Sequence, residues 1–137
     1  MTKSFQHAFI AIFAVMAVHA VLLYLHAYSV WPDIDVPMHF SGGFAMGLLA
    51  LAIFSAGHAK SKGQGSHAWY IKPLFVVGFV ALVAVLWEFH EFLLDVWFVQ
   101  NGSWEKTQIS LADTMGDLFF GLLGGLAALW IRISRVS

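Results

Sequence analysis

Residues 74–99 read LFVVGFVALVAVLWEFHEFLLDVWFV. A membrane-crossing helix needs about 20 mostly apolar residues, each rising 1.5 Å, and this stretch supplies them. It also contains WEFHEFLLD at 87–95. From Pro73 to Glu88 is fifteen residues, or about 22 Å of helix. The hydrocarbon is about 30 Å thick, so Glu88, and Glu91 with it, belongs inside the membrane. Glu88, Glu91 and Asp95 are spaced three and four apart and share one helix face, while His90 points away.

Three more apolar segments flank this one, from Phe5 to about Tyr28, Met38 to about Gly57, and Leu111 to about Ile131. Of the 137 residues, 60% are apolar and 11% are charged, and mean hydropathy is +0.78. A soluble domain carries about a quarter charged residues, so this chain lacks the polar material for a water-facing surface. The expectation is one integral membrane domain over residues 1–137, all-α, a four-helix transmembrane bundle lodged in a lipid bilayer. The net charge of −1 gives no reason to expect nucleic acid as a partner. With no cysteine, disulfides and thiolate chemistry are excluded.

Pro37 and Pro73 sit where helices begin. Ser110 followed by Asp113 reads as a capping box for the fourth segment. Trp31, Trp69, Tyr70, Trp97, Trp104 and Trp130 fall near segment ends, as an interfacial belt requires. Lys3 and the tripeptide VHA (18–20) also fit a signal peptide, but the apolar run continues well past Ala20. Gly43 with Gly47, and Gly121 with Gly125, form small-xxx-small pairs that serve close packing inside the bundle or in a homodimer.

Six of the seven cations (Lys3, Lys60, Lys62, Lys72, Arg132 and Arg135) fall at the two ends or in the middle loop, and Lys106 alone falls on the other side. The positive-inside rule then makes both termini cytoplasmic. All eight acids fall in the outer loops or the outer halves of helices. Acids contribute little to orientation, so this clustering is a separate fact.

The second helix begins DVPMHF (35–40) and the fourth SLADTMGD (110–117). His39, Glu88, Glu91, Asp113 and Asp117 therefore approach one level near the outer surface. Four carboxylates with one histidine, and no lysine or arginine among them, cannot all stay ionised without a counter-charge. Bound metal or bound protons must supply it. These five residues are the expected ligands of a divalent metal, with Glu88 and Glu91 the catalytic candidates and Asp35, His26 and His90 in reserve. Simpler roles also fit: a cap for Asp113, a turn for Asp35, solvation for Asp95 and Glu105, an interhelical hydrogen bond for His19. His7, His58 and His67 lie near or beyond the cytoplasmic surface. No cap or surface role suits Glu88 and Glu91.

The order of these motifs resembles the YjdF-like family of bacterial inner-membrane proteins of unknown function. More distantly it is similar to VanZ-like proteins, associated with glycopeptide-antibiotic resistance. The family pattern runs D-K-x-x-H-F, E-x-x-E, then T-Q ahead of D-T-x-x-D and a glycine-bearing helix. Asp35 to His39-Phe40, Glu88 to Glu91, Thr107-Gln108, Asp113-Thr114 to Asp117, and Gly121 to Gly125 match it. Val36 stands where the family has lysine, removing a cation that would pair with an acid. VanZ-like proteins commonly have amides where this chain has Glu91 and Asp117. The resemblance implies the bacterial inner membrane as location and brings no reaction with it.

Four functions follow as expectations. One is a metal-dependent hydrolase or transferase acting at the outer leaflet on a lipid headgroup or lipid-linked substrate. The others are proton- or ion-coupled transport, haem binding through pairs such as His26 and His39, and a structural subunit with a polar core. The topology is tested by placing single cysteines at Gly63 and Gly102 and labelling intact cells with an impermeant thiol reagent. Labelling at 102 alone is expected; labelling at 63 alone contradicts the cytoplasmic termini.

Overall fold

A computed structural model describes residues 2–60, 69–99 and 106–134. Lys62, His67, Trp104, Glu105 and Arg135, which entered the reading above, lie outside them. All regular structure among the described residues is helical: α1 (Lys3–Tyr24), α2 (Ala27–Val30), a 3-10 turn (Pro32–Ile34), α3 (Asp35–Lys60), α4 (Ile71–Leu94), a π-helical turn (Asp95–Val99) and α5 (Leu111–Ser134). Four stretches are long and apolar enough to cross a membrane, Lys3–Tyr24, Pro32–His58, Ile71–Val99 and Leu111–Arg132. Large apolar side chains such as Phe13, Leu74, Leu82, Phe89 and Phe119 are exposed along them. In water that would be one long adhesive surface; in lipid it is solvated.

The first segment stops earlier than its composition predicts. His26 adopts a left-handed backbone (φ 53°), and the amides of Leu25 and His26 turn back to the carbonyls of Val21 and Leu23. This is a left-handed helix stop, formed here without the usual glycine. The second helix starts three residues earlier than expected, at Asp35. Pro37 then lies in the first turn, where a missing N–H leaves no bond unmade. The earlier start puts Asp35 one turn above His39 on the same face.

Packing is dominated by α3 against α5, with α4 against both and α1 laid mainly on α3. A methyl group added at Gly43 would overlap the Gly121 carbonyl, and one at Gly124 would overlap the Phe40 carbonyl. A methyl at Gly47 would lie 3.1 Å from the Gly125 Cα, and one at Gly125 would lie 2.8 Å from Val80 Cγ2. The paired glycines therefore serve the inside of the bundle. Their register is regular: Gly43 meets Gly121 and Gly47 meets Gly125, so α3 and α5 run parallel. Ala84 approaches Gly121 and Val80 approaches Gly125, so α4 runs antiparallel to both. Below these layers lies an apolar core of Ala50, Leu51, Val76, Ala128 and Leu129, with Phe44, Leu48 and Phe79 packed against it.

Gly43→Ala should lose about 1–3 kcal/mol or more by overpacking. Gly78, with nothing within 4 Å of the added methyl, should instead gain up to about 1 kcal/mol as alanine from helix propensity. Thermal unfolding in detergent measures both; a Gly43→Ala protein that melts with wild type contradicts the seam.

Candidate functional site

Extending the same register one turn toward the other end of the bundle brings His39, Asp117 and Glu88 to one level. The His39 imidazole is the hub. Its Nε2 lies 3.3 Å from Asp35 Oδ1 and 3.8 Å from Asp117 Oδ1, and its Nδ1 lies 3.9 Å from Glu88 Oε1. Two groups of possible ligand atoms result, Asp35–His39–Asp117 and His39–Glu88–Glu91, each with atoms within 4.8 Å of one another. Asp117 sits six residues inside the span Leu111–Arg132, or about 9 Å from its end. Glu88 and Glu91 are each 6% exposed and Asp117 is 5% exposed. Three carboxylates are thus as buried as the apolar core, a placement that demands partners.

Those partners are only partly present. Trp87 Nε1 donates to Glu91 Oε1 at 2.7 Å. Gln108 Nε2 donates to Glu88 Oε2 at 3.1 Å and to the Glu88 carbonyl at 3.0 Å. Glu88 Oε1, buried and turned toward His39, has no hydrogen-bond partner among the described residues. An unpaired buried carboxylate oxygen is costly and calls for an explanation.

Asp95 is not the solvated acid that the sequence suggests. Its Oδ1 accepts the Thr107 amide and hydroxyl, each at 2.9 Å, and its Oδ2 accepts the Gln108 amide at 2.9 Å. The carboxylate fastens Thr107-Gln108 across the end of α4 and so aims the Gln108 amide at Glu88. Backbone amides in a loop need acceptors, and Asp95 supplies them. No short-range pattern reveals a pairing twelve residues apart; the Thr-Gln dipeptide was the available signal.

Of the expected ligands, His39, Glu88, Glu91 and Asp117 come together, and Asp35 joins them. Asp113 stands outside both groups. The Ser110 hydroxyl accepts the Asp113 amide at 3.1 Å, and Asp113 Oδ2 accepts the Ile109 amide at 3.2 Å, so this carboxylate is engaged in capping α5. His90 is exposed, its ring beside Trp87, and His26 occupies the left-handed turn; neither enters the groups. His19 does make a hydrogen bond, 2.6 Å between its Nδ1 and the Tyr28 hydroxyl, with its ring edge-on to Trp87. Burial, then the charges of Asp35 and Glu91, raise the Tyr28 pKa, so the phenol keeps its proton.

Two carboxylates and an imidazole form a donor set suited to Zn, Mn or Fe. Neighbouring ligands around a metal with bonds of about 2.1 Å stand roughly 3–3.5 Å apart, close to the separations around Nε2. The fold and this centre define a polytopic helical membrane protein with a buried acid–histidine cluster at one end. The chain belongs to the family described as "Predicted membrane protein (DUF2238)", whose model matches residues 2–136. No curated relative and no solved structure matches the chain.

Asp95→Ala should destabilise by about 2–3 kcal/mol, since charged hydrogen bonds are lost and amides left unpaired. Thr107→Val, which keeps the backbone bonds, should cost less. Equal melting temperatures for Asp95→Ala and wild type would contradict the clamp.

Proposed function

We propose that the cluster holds a divalent metal and that the protein is a metal-dependent hydrolase or transferase. It would work at the non-cytoplasmic face of the bacterial inner membrane, with both termini cytoplasmic. The cation distribution in the sequence supports that orientation. The observation that carries the reading is the arrangement around His39: Nε2 between Asp35 and Asp117, and Nδ1 toward the unpartnered oxygen of buried Glu88.

In this reading Asp35, His39 Nε2 and Asp117 are the metal ligands. Glu88 would accept from His39 Nδ1–H, the common carboxylate–histidine–metal arrangement. Glu91, at the wall of an adjoining cavity, accepts a proton from the attacking water. The water oxygen would bond to phosphorus or a carbonyl carbon as the ester bond breaks, and the leaving oxygen would take the proton that Glu91 had accepted. The metal's contribution is to make that water acidic enough to react near neutral pH.

Proton relay is the second reading, favoured by the same buried acids. Against it, the layers beneath His39 are Gly43, Gly121 and Ala84, then Gly47, Gly125 and Val80, then the apolar core. A relay needs titratable or hydrated groups along its path. A haem reading gains no support, because carboxylates surround the His39 ring.

Protein purified without chelator should carry near-stoichiometric Zn, Mn or Fe by elemental analysis. His39→Gln and Asp117→Asn should lose it. Glu88→Gln should retain the site with affinity lowered about 10–100-fold. If wild type holds no more metal than His39→Gln and Asp117→Asn, and added metal leaves its melting temperature unchanged, the cluster is protonated and the metal reading fails.

A further inference from the structure

Two cavities meet at the cluster. The outer one, about 510 Å³, is lined by His26, Tyr28, Ser29, Lys106 and Thr107 among others. Its size lies within the range of small-molecule sites, roughly 300–1,000 Å³. The second, about 110 Å³, is a narrow apolar cleft between α1, α3 and α4, walled by residues such as Ile12, Val15, Met16, Met46 and Val83. His19, Asp35 and Glu91 line both. At their junction His19 of α1 meets Trp87 of α4 edge-on. The two cavities thus share a wall at the cluster, the outer one more polar and the inner one apolar and within the spanning region.

We propose that these two cavities together bind a single-chain lipid phosphate, its phosphate in the outer cavity and its chain in the cleft between α1 and α4. The proposal rests on the metal reading. Asp35, Glu91 and Asp113 line the outer cavity and would repel an anion unless a dication offset them. With the dication bound, Lys106, the only lysine or arginine lining the cavity among the described residues, adds the further positive charge a phosphate requires. The cleft commits the other end. It is apolar, it lies within the span, and α1 closes mainly on α3, so a chain already dissolved in the bilayer reaches it sideways without crossing water. Its small volume admits a short stretch of one chain, the rest of which stays in the bilayer. The shared chemistry is a phosphate on one chain, whether that chain is prenyl or acyl.

The test uses metal-loaded full-length protein in detergent and native mass spectrometry. The probes are undecaprenyl phosphate, oleoyl lysophosphatidic acid, neutral monoolein and two-chain dioleoyl phosphatidylglycerol. One or both single-chain phosphates should bind at least about tenfold tighter than monoolein or phosphatidylglycerol. Which of the two binds identifies the source of the chain. Lys106→Glu should weaken phosphate binding about fivefold or more while sparing monoolein. Val15→Trp, which fills the cleft, should weaken every single-chain probe; Met16→Trp serves if Val15→Trp melts early. Equal binding of monoolein and the phosphates, or wild-type binding in both cleft variants, overturns the proposal. Elemental analysis of the same samples separates the two claims. Full metal content with no phosphate preference sinks the lipid site and leaves the metal centre standing. Wild-type phosphate binding by metal-free His39→Gln overturns the electrostatic basis of both.

Discussion

The backbone contact between α3 and α5 at Gly43 and Gly121 is the constraint on which the rest of the structure depends. Without side chains there, the two helices approach until main-chain atoms touch. Lipid offers little hydrophobic drive between helices, so such close packing is what holds them together. The parallel contact repeats every four residues, from Gly47 and Gly125 up through Gly43 and Gly121. One turn further, the same repeat delivers His39 and Asp117 face to face. The antiparallel α4 adds Val80, then Ala84, then Glu88 at successive levels. The acid–histidine centre is therefore the last layer of a packing pattern, placed by the two glycine-bearing layers beneath it.

This layout explains how deep carboxylates persist in an apolar medium. Each isolated charge at that depth would cost several kcal/mol. Glu91 is met by the Trp87 indole and one oxygen of Glu88 by Gln108. Asp95 in turn holds Gln108 in place. The remaining deficit is concentrated on the faces directed at His39. A single dication would satisfy Asp35, Asp117 and the imidazole together, while Glu88 Oε1 would gain the Nδ1–H as its donor.

The four spans were legible because length and local composition settle them. The pairing of glycines was legible as close packing, but its partner was not, since a stripe of small residues looks the same to a dimer. Among the acids, Asp113 and Asp35 illustrate the limit. Each stands four residues before a buried polar group, and spacing alone ranks them equally. What separates them is helix onset. Asp35 lies inside the first turn of α3, with its side chain on the His39 face, whereas Asp113 is occupied by the Ile109 amide at the α5 cap. The role of Asp95 is not legible from spacing because its partners, Thr107 and Gln108, arrive after a loop. The early end of α1 depends on a left-handed histidine, a conformation that residue type does not signal.

The central claim is that one histidine, His39, ligates a metal brought to it by the α3–α5 seam. Electron spin echo envelope modulation of the Mn(II)-loaded protein reads this directly through nitrogen coupling to the ion. The account predicts coupling to a single imidazole nitrogen, lost in His39→Gln and unchanged in His26→Gln and His90→Gln. A manganese signal without nitrogen coupling, or one that survives in His39→Gln, would contradict it.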